Sequence, residues 1–196
     1  MTEEFISVQD RIISTSIDII SDSGLSALSF KSISLKTNIS EDLLYKYYLN
    51  TDEILTDIVK SFFKFDKGLF KTLSSKECSH VEKIELYLEA FGSYFNSYYS
   101  ISCLILHYEE LLHNAHTREI VESGHMSRRL FMIDLFNGAI ENHEIRTNLS
   151  AEQLTDNVFG YIFINLFNRR IMINKHSIKD DMLAYFRGML KSIKAI

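Results

Sequence analysis

Two histidines and two glutamates near the middle of the chain have a spacing that could bind a metal ion. His113 and His116 are three residues apart, and Glu109 and Glu110 precede them by about one helical turn. One helix face could therefore present imidazole and carboxylate ligands to zinc or another divalent cation. The segment also contains Asn114 and lies where a helix is predicted to end, a common place for exposed histidines. We therefore expect no metal and no other cofactor.

The other reactive side chains show no catalytic arrangement. Cys78 and Cys103 are the only cysteines, and neither belongs to a CxxC motif that would indicate redox or metal chemistry. The chain contains no glycine-rich phosphate loop, no GxSxG motif and no HExxH motif. Two basic pairs, Arg128-Arg129 and Arg169-Arg170, are expected on a solvated face or in interface ion pairs. These observations argue against an enzyme.

Composition predicts an all-helical fold. The 196 residues include no proline and only 7 glycines, and 46% are hydrophobic, which argues against β-sandwiches and disordered chains. No uncharged apolar run reaches the length of about 18 residues that a membrane span needs. The acidic start is unlike a signal peptide, so a cytoplasmic protein is expected.

Helical apolar spacing, interrupted by polar breaks and N-cap residues, predicts about nine helices. Several long helices begin with an N-cap residue followed three positions later by a second polar residue, as in a capping box. These pairs are Asn50/Glu53, Ser79/Glu82, Ser150/Gln153 and Ser177/Asp180. The predicted helices cover 5–23, a short segment from 29, 40–48, 51–75, 79–98, 101–114, 117–142, 150–174 and 177–195.

Residues 29–48 have the spacing of a helix-turn-helix. Two short helices flank a tight turn at 37–39, where Asn38 is one of the few non-glycine residues that tolerate a positive φ. Such a unit places its second helix in the DNA major groove, although the same spacing also fits an ordinary helical hairpin. We expect this unit to form a domain over 1–50. Helix 51–75 would connect it to a bundle within 51–196.

The stretch from 11 to 58 resembles the N-terminal domain of TetR-family transcriptional regulators. The resemblance rests on Gly24 at the end of the first helix, on residues 29–33, on residues 38–40, and above all on the Leu-Tyr-Lys-Tyr-Tyr run at 44–48. It implies a ligand-responsive homodimer that binds operator DNA through its second and third helices and acts as a repressor. A small ligand in the bundle would shift the two DNA-binding domains apart.

The resemblance also implies which residues contact DNA. At the matching positions, one side chain contacts a base edge or phosphate and the others contact phosphate. The base-edge candidate is Tyr47, and the phosphate candidates are Lys31, Ser40, Tyr45 and Lys46.

Three further positions on this predicted surface depart from the family pattern. Glu41 and Asp42 replace a basic and a small residue, and Thr51 replaces a phosphate-binding lysine. Residues 1–60 contain ten acidic and five basic residues, whereas 61–196 contain sixteen of each, so the net charge of -5 lies entirely in the first sixty residues. Carboxylates repel phosphate, although they can accept a hydrogen bond from cytosine. We therefore expect weak, salt-sensitive DNA binding; an alternative is a dimeric small-molecule-binding or interaction module on the same fold.

The last two helices are expected to form the dimer interface, because they do so in the family that the chain resembles. The segment 158–167 is apolar on nearly all sides, which predicts burial on more than one side. The alternative is the core of a monomer. The candidate interface residues are Val158, Ile162, Arg169, Met182, Tyr185, Phe186 and Met189.

Aromatic residues at helical spacing, with a few polar groups among them, are candidates for a mostly apolar ligand pocket. The alternative is an ordinary aromatic core. The candidate pocket residues are Phe91, Tyr94, Phe95, Tyr98, His107, Tyr108, Phe131, Leu135, Tyr161 and Asn165.

Overall fold

The structure is a computed structural model that describes residues 7–172 and 177–193. Within these ranges it contains ten α-helices, two short 3-10 turns and no strand, which confirms the all-helical prediction. The helices are α1 (Val8–Ser23), α2 (Phe30–Thr37), α3 (Glu41–Leu44), α4 (Thr51–Ser74), α5 (His80–Ser97), α6 (Cys103–Leu106), α7 (Tyr108–His113), α8 (Arg118–Glu141), α9 (Ala151–Met172) and α10 (Ile178–Ile193). The predicted helix ends at 5, 174 and 195 lie outside the described residues. None of the described helices is long and apolar enough to cross a membrane.

The segment predicted as a single helix over 101–114 is divided in the structure. A 3-10 turn over Tyr99–Ser102 leads into α6, and His107 separates α6 from α7. The N–H of His107 donates to the carbonyls of both Cys103 (3.0 Å) and Leu104 (3.3 Å). Its backbone, at φ -103° and ψ 14°, has left the helical region. Apolar periodicity alone does not reveal such a break, because buried residues continue on both sides of it.

The chain divides into two compact units. The first comprises the described residues up to Lys64 together with Ser100–Glu122. The second comprises Phe65–Tyr99 and the described residues from Ser123 onward. Both α4 and α8 begin in the first unit and end in the second.

The first unit is built around α1, against which the short helices pack. Ile12, Ile33 and Leu44 are fully buried and place α1, α2 and α3 around a common core. The Tyr48 hydroxyl accepts from Gln9 Nε2 and donates to Asp57 Oδ2, each at 3.1 Å, which links the end of the helix-turn-helix to α1 and α4. Burial raises the pKa of Tyr48, so the hydroxyl remains protonated and able to donate.

The turns of this unit have the predicted backbone. α1 ends at Gly24, whose φ of 84° lies in the region that favours glycine. Asn38 has φ 57° and ψ 24°, the left-handed conformation expected of the turn residue, and caps α2. Arg11 Nη2 donates to the carbonyl of Thr37 at 3.0 Å and so satisfies one of the exposed acceptors at that helix end.

The capping motifs are largely confirmed. Ser79 and Glu82 exchange both bonds of a capping box, as do Ser150 and Gln153. Ser177 Oγ accepts from the N–H of Asp180 at 3.2 Å. The Asn50/Glu53 motif differs in one bond. Asn50 caps α4, because its side-chain oxygen accepts from the N–H of Glu53. The Glu53 carboxylate accepts from the N–H of Leu49 at 2.7 Å, and not from the N–H of Asn50 as in a capping box.

In the second unit α10 packs along α5 and beside α9. The approach of α5 to α10 is so close that a Cβ on Gly92 would lie 2.5 Å from the Cα of Lys179. Buried Met182, Phe186 and Leu190 form the inner face of α10, and Phe186 lies 6.3 Å from Phe136 of α8, centroid to centroid.

Candidate functional site

The residues that were predicted to contact DNA lie on α2, from the N-cap of α3 through the turn that follows it, and at the start of α4. Lys31, Lys46 and Tyr47 are exposed. Tyr45 is 56% exposed, and its ring packs edge-on against Phe30 at 4.4 Å, which limits its mobility. These side chains are therefore available to a partner and are held by a packed helix-turn-helix.

The second helix of this motif is shorter than predicted. The sequence indicates a helix over 40–48, but α3 is a single turn, Glu41–Leu44. Lys46 N–H donates to Leu43 and Tyr47 N–H to Leu44, the tighter spacing of a 3-10 turn. This tightened turn brings the Tyr48 ring into the core, where it is 4% exposed.

Acidic side chains occupy the start of α3. Ser40 is its N-cap, with Oγ accepting from Leu43 N–H at 3.3 Å. Glu41 and Asp42 follow in the first turn, and both are exposed. Carboxylates here interact favourably with the helix dipole but would face the phosphates of a bound duplex. Thr51 is the half-buried first residue of α4.

Seven aromatic rings form a continuous cluster in the second unit. Successive centroid separations run from 4.3 to 6.3 Å along Phe131, Phe70, Tyr87, Phe91, Phe95, Tyr94 and Phe65. The cluster joins α4, α5 and α8, and it contains four of the predicted pocket residues: Phe91, Tyr94, Phe95 and Phe131. Tyr87, Phe91 and Phe95 are buried, whereas the other four rings are half-buried and reach the surface.

An ion pair lies within this aromatic cluster. Arg128 Nη2 donates to Asp66 Oδ2 at 2.6 Å, and the two side chains are only 5% and 3% exposed. The guanidinium carbon of Arg128 lies 4.9 Å from the centroid of the Phe91 ring, in cation–π geometry. Burial raises the pKa of Asp66, and the charge and hydrogen bond of Arg128 act against that rise. The expectation that Arg128 lies on a solvated face or at an interface is therefore wrong.

Sequence reasoning missed both members of this pair, although a signal was present. Arg128 continues the buried positions Val121, Met132 and Leu135 of α8 at helical spacing. Asp66 likewise stands four residues after buried Phe62 on α4. A charged residue at the register of a buried helix face indicates a paired group in the core or a functional group.

The other predicted pocket residues are distributed over several places in the structure. His107 and Tyr108 belong to the first unit, where His107 Nδ1 lies 3.2 Å from Glu110 Oε1 and Tyr108 lies near Phe63. In the second unit, Tyr98 is exposed and Leu135 is buried within α8. Tyr161 stacks on Tyr185 with 3.9 Å between centroids, and Asn165 Nδ2 donates to Asp181 at 3.3 Å. The last two contacts join α9 to α10.

A surface groove of about 320 Å³ lies beside α5 and α10, and none of the rings of the aromatic cluster lines it. Charged side chains dominate its lining, including Glu82, Glu85, Glu89 and Arg187. Arg187 Nε donates to Glu85 Oε1 at 3.0 Å. The groove contains none of the predicted pocket residues and lacks the apolar lining that was expected of the ligand pocket.

Each of the two histidines of this segment lies near a single carboxylate. His113 Nε2 lies 3.1 Å from Glu109 Oε1, and His116 Nε2 lies 4.0 Å from Asp52 Oδ2. In the part of the chain that the structure describes, no three potential metal ligands come together. Cys78 and Cys103 are not joined in a disulfide.

Four of the predicted interface residues are buried within the single chain. Val158 and Ile162 form the inner face of α9, and Met182 and Phe186 that of α10. The remaining three are half-buried. Arg169 Nη1 donates to Asn96 Oδ1 at 3.1 Å, Tyr185 stacks on Tyr161, and Met189 lies on α10.

The outer side of α9 carries an exposed apolar patch, here called the α9 apolar face. It consists of Phe163, Ile164, Phe167 and Ile171, which are 43 to 61% exposed. These residues share one side of the helix because Ile164, Phe167 and Ile171 follow Phe163 by one, four and eight positions. Helix α9 is therefore apolar on opposite sides, but only one of them is buried within the chain, so the predicted burial of a second side stays a prediction.

The fold is found among solved structures. No protein-family profile and no curated protein matches the sequence. Among solved structures, the ketosteroid transcriptional regulator KstR2 of Mycobacterium tuberculosis is similar over 98% of each chain, with a TM-score of 0.82 and 13% identity. The FadR regulator from Bacillus subtilis, solved with stearoyl-CoA, is similar over 94% of this chain and 97% of its own, with a TM-score of 0.71 and 17% identity.

A third structure bears the name of the family itself. The TetR-family transcriptional regulator PfmR from Thermus thermophilus is similar over 93% of this chain and 98% of its own, with a TM-score of 0.78 and 16% identity. All three similarities extend over nearly the whole chain, so they include both the helix-turn-helix and the following helices. The chain therefore has the fold of the TetR family of transcriptional regulators.

Proposed function

We propose that this protein is a cytoplasmic, homodimeric transcriptional regulator that binds operator DNA through α2 and α3 and changes its DNA affinity when an apolar ligand binds the second unit. The observation that carries the proposal is the exposed helix-turn-helix surface in a chain whose whole length matches transcriptional regulators. Repression is the mode we propose, because a protein on an operator blocks access of other proteins to that DNA.

The DNA-binding part of the proposal rests on exposed side chains held by a rigid support. Lys31 and Lys46 would neutralise phosphates, and Tyr45 and Tyr47 would donate hydroxyl hydrogen bonds to phosphates or a base edge. The buried bond from Tyr48 to Asp57 and the Arg11 bond to Thr37 support this arrangement from behind. These exposed and supported side chains favour operator binding through this surface.

The acidic start of α3 supports weak DNA binding. Two of the basic side chains of the first sixty residues are engaged within the protein, since Arg11 donates to Thr37 and Lys36 pairs with Asp22 at 3.0 Å. Glu41 and Asp42 are exposed beside the lysine and tyrosines that would contact DNA. Since phosphate neutralisation supplies most non-specific affinity, we propose a complex that forms readily only at low salt.

These same carboxylates favour a second candidate function. A dimeric ligand-binding or protein-interaction module could use the second unit and the α9 apolar face without binding DNA. The two candidates differ in one measurable property, which is sequence-specific DNA binding at any salt concentration.

A gel-shift titration against the DNA upstream of the protein's own gene separates the candidates. The salt concentration is varied from about 50 to about 200 mM, with unrelated DNA of equal length as competitor. The wild type is compared with the triple variant Glu41→Lys, Asp42→Gly and Thr51→Lys. A control with the same change in charge, Glu141→Lys and Asp134→Lys, alters exposed positions on α8.

If the protein is an operator-binding regulator, the wild type shifts the upstream DNA specifically at low salt. The triple variant binds more tightly, and each new lysine–phosphate contact steepens the plot of log affinity against log salt by about 0.9. The α8 control leaves that slope unchanged. Absence of a specific shift in both wild type and triple variant would contradict the DNA-binding function and favour the interaction module.

The ligand class is proposed from the aromatic cluster. Its rings favour a ligand with a large apolar skeleton, and so do two of the similar structures, a ketosteroid regulator and a regulator solved with stearoyl-CoA. Addition of such a ligand to the gel-shift reaction is expected to change the fraction of bound DNA. A ligand that binds the protein without changing DNA occupancy would contradict ligand regulation.

A further inference from the structure

The buried pair Asp66–Arg128 is expensive to place in a protein core. Each ion loses its hydration, and apolar residues of similar volume usually give equal or greater stability at such positions. Both side chains are more than nine-tenths buried, and they approach from different helices, α4 and α8. A contribution to folding stability alone therefore gives little reason for a pair at this place.

One oxygen of the Asp66 carboxylate remains available. Oδ2 accepts the hydrogen bond from Arg128, whereas the buried Oδ1 accepts none from any described residue. An ionised carboxylate has acceptor sites on both oxygens, and leaving one unused in the core costs free energy. A hydrogen-bond donor that reached Oδ1 would recover that cost.

The groups beside the ion pair determine which kind of hydrogen-bond donor can approach Oδ1 of Asp66. Phe65, the neighbour of Asp66 in the chain, stacks on Tyr94 at 4.4 Å between centroids, and Phe91 lies beneath Arg128. Burial, with Asp66 nearby, raises the pKa of the Tyr94 hydroxyl, so it adds no negative charge. The ion pair is therefore flanked by apolar rings and by an uncharged tyrosine hydroxyl.

We propose that Asp66 Oδ1 accepts a hydrogen bond from a hydroxyl group on an apolar ligand, while Arg128 holds the carboxylate in place from its other oxygen. This inference rests on the proposed function, in which the second unit binds an apolar ligand, and names the polar group that the site recognises. The rings of Phe65, Phe70, Tyr94 and Phe131 are half-buried, so the aromatic cluster extends from the pair to the surface.

Charge and hydrogen bonding together exclude a carboxylate, an ether or an ammonium group as the polar group of the ligand. A carboxylate would meet the negative charge of Asp66 and brings no hydrogen atom for Oδ1. An ether of the same skeleton is uncharged but also has no donor. An ammonium group would compete with Arg128 and leave an extra buried positive charge. A hydroxyl group donates one hydrogen bond and leaves the charge balance of the pair unchanged.

The test compares decanol, decyl methyl ether and decanoate, which share an apolar chain and differ in the head group. Dissociation constants are measured by titration calorimetry on the full-length protein. The wild type is expected to bind decanol about tenfold or more tightly than the ether, the effect of one hydrogen bond to a charged acceptor, and to bind decanoate more weakly still.

Two matched double variants test whether the preference for decanol over the ether depends on the Asp66–Arg128 pair. Asp66→Leu with Arg128→Met removes both charges together, so no buried ion is left alone, and it should bind decanol and the ether equally. Asp156→Leu with Arg129→Met makes the same changes in the more exposed pair formed by the next residue of α8, and it should keep the alcohol preference.

Equal affinity of the wild type for decanol and the ether, a preference for decanoate, or binding of none of the three overturns the inference. So does an alcohol preference that persists in the Asp66→Leu, Arg128→Met variant. The gel shift of the wild type is recorded on the same preparation. Operator binding without alcohol selectivity removes only this inference. Alcohol selectivity in a protein whose wild type and triple variant both fail to shift the operator DNA removes only the DNA-binding function.

Discussion

At the scale of single residues, Gly92 sets how closely two helices of the second unit approach. A side chain at this position would collide with the Cα of Lys179 at 2.5 Å and with its backbone nitrogen at 2.9 Å. Backbone atoms cannot rotate away as the end of a flexible side chain can. The close packing of α5 on α10 therefore depends on the absence of a side chain at position 92.

Replacing Gly92 by alanine is expected to destabilise the protein by about 1–3 kcal/mol, the usual cost of overpacking, despite the better helix propensity of alanine. Urea unfolding followed by circular dichroism measures the change. Gly68→Ala is the matched control, because Gly68 lies on α4 with nothing within 4 Å of its Cβ position. That variant should gain about 0.5–1 kcal/mol, and equal effects of the two substitutions would contradict the close approach.

At the scale of elements, the start of α5 is held by a side chain from beyond the end of α8. The Glu144 carboxylate accepts from the N–H groups of His80 (3.0 Å) and Val81 (2.8 Å), and it lies 3.0 Å from His80 Nδ1. A carboxylate at this place satisfies unpaired donors of the first turn and interacts favourably with the helix dipole. Burial raises the pKa of Glu144, but the N–H bonds of Val81 and His80 outweigh it, so the net pKa lies below its ordinary value.

Because the pKa of Glu144 is lower in the folded than in the unfolded protein, its stabilisation is complete above the ordinary value of about 4.3 and is lost as the pH falls through the folded value. Glu144→Gln should therefore lose about 1 kcal/mol near neutral pH, as expected for a capping interaction. The difference from wild type should shrink toward about pH 3. Urea unfolding at the two pH values measures both quantities.

Glu141→Gln serves as the control for this titration, because Glu141 is an exposed acid three residues earlier on α8. Its effect on the free energy of unfolding should be small at both pH values. A Glu144 variant whose deficit stayed constant with pH would contradict the capping role of the ionised carboxylate.

Features that depend on neighbours in sequence could be predicted, and features that depend on distant residues could not. The left-handed Asn38 and the Ser79/Glu82 capping box follow from residue types within a few positions. The Asp66–Arg128 pair joins residues 62 positions apart. In the sequence, only the position of each residue on a buried helix face indicates it. The shortening of α3 depends on where the Tyr48 ring lies in the folded unit, which helix propensity does not contain.

At the scale of the whole molecule, charge and apolar surface are unevenly distributed. The net charge of -5 comes entirely from the first sixty residues. The α9 apolar face, by contrast, leaves two phenylalanines and two isoleucines exposed on one helix, with the rings of Phe163 and Phe167 6.4 Å apart. Exposed apolar patches of this kind usually mark a protein interface, and we propose that a second copy covers it.

Glutamates at positions 163 and 167 are expected to convert a dimer to a monomer, because they would place four charges in the apolar centre of a two-fold interface. Sedimentation equilibrium of Phe163→Glu, Phe167→Glu against wild type measures the mass. Circular dichroism checks that the helix content is retained. Leu35→Glu, at a leucine that is 74% exposed on α2, should remain dimeric. A monomeric wild type would contradict the homodimer.

The aromatic cluster around the buried ion pair also has an optical consequence. The chain contains 14 phenylalanines and 10 tyrosines but no tryptophan, so light that excites only tryptophan produces no emission from the protein. Tyr94 stacks on Phe65 beside Asp66, so Tyr94→Trp would introduce a single fluorophore next to the proposed hydroxyl site. The wavelength of its emission would then report whether water or an apolar chain lies between the rings. The measurement needs no added label, and no other tryptophan contributes background emission.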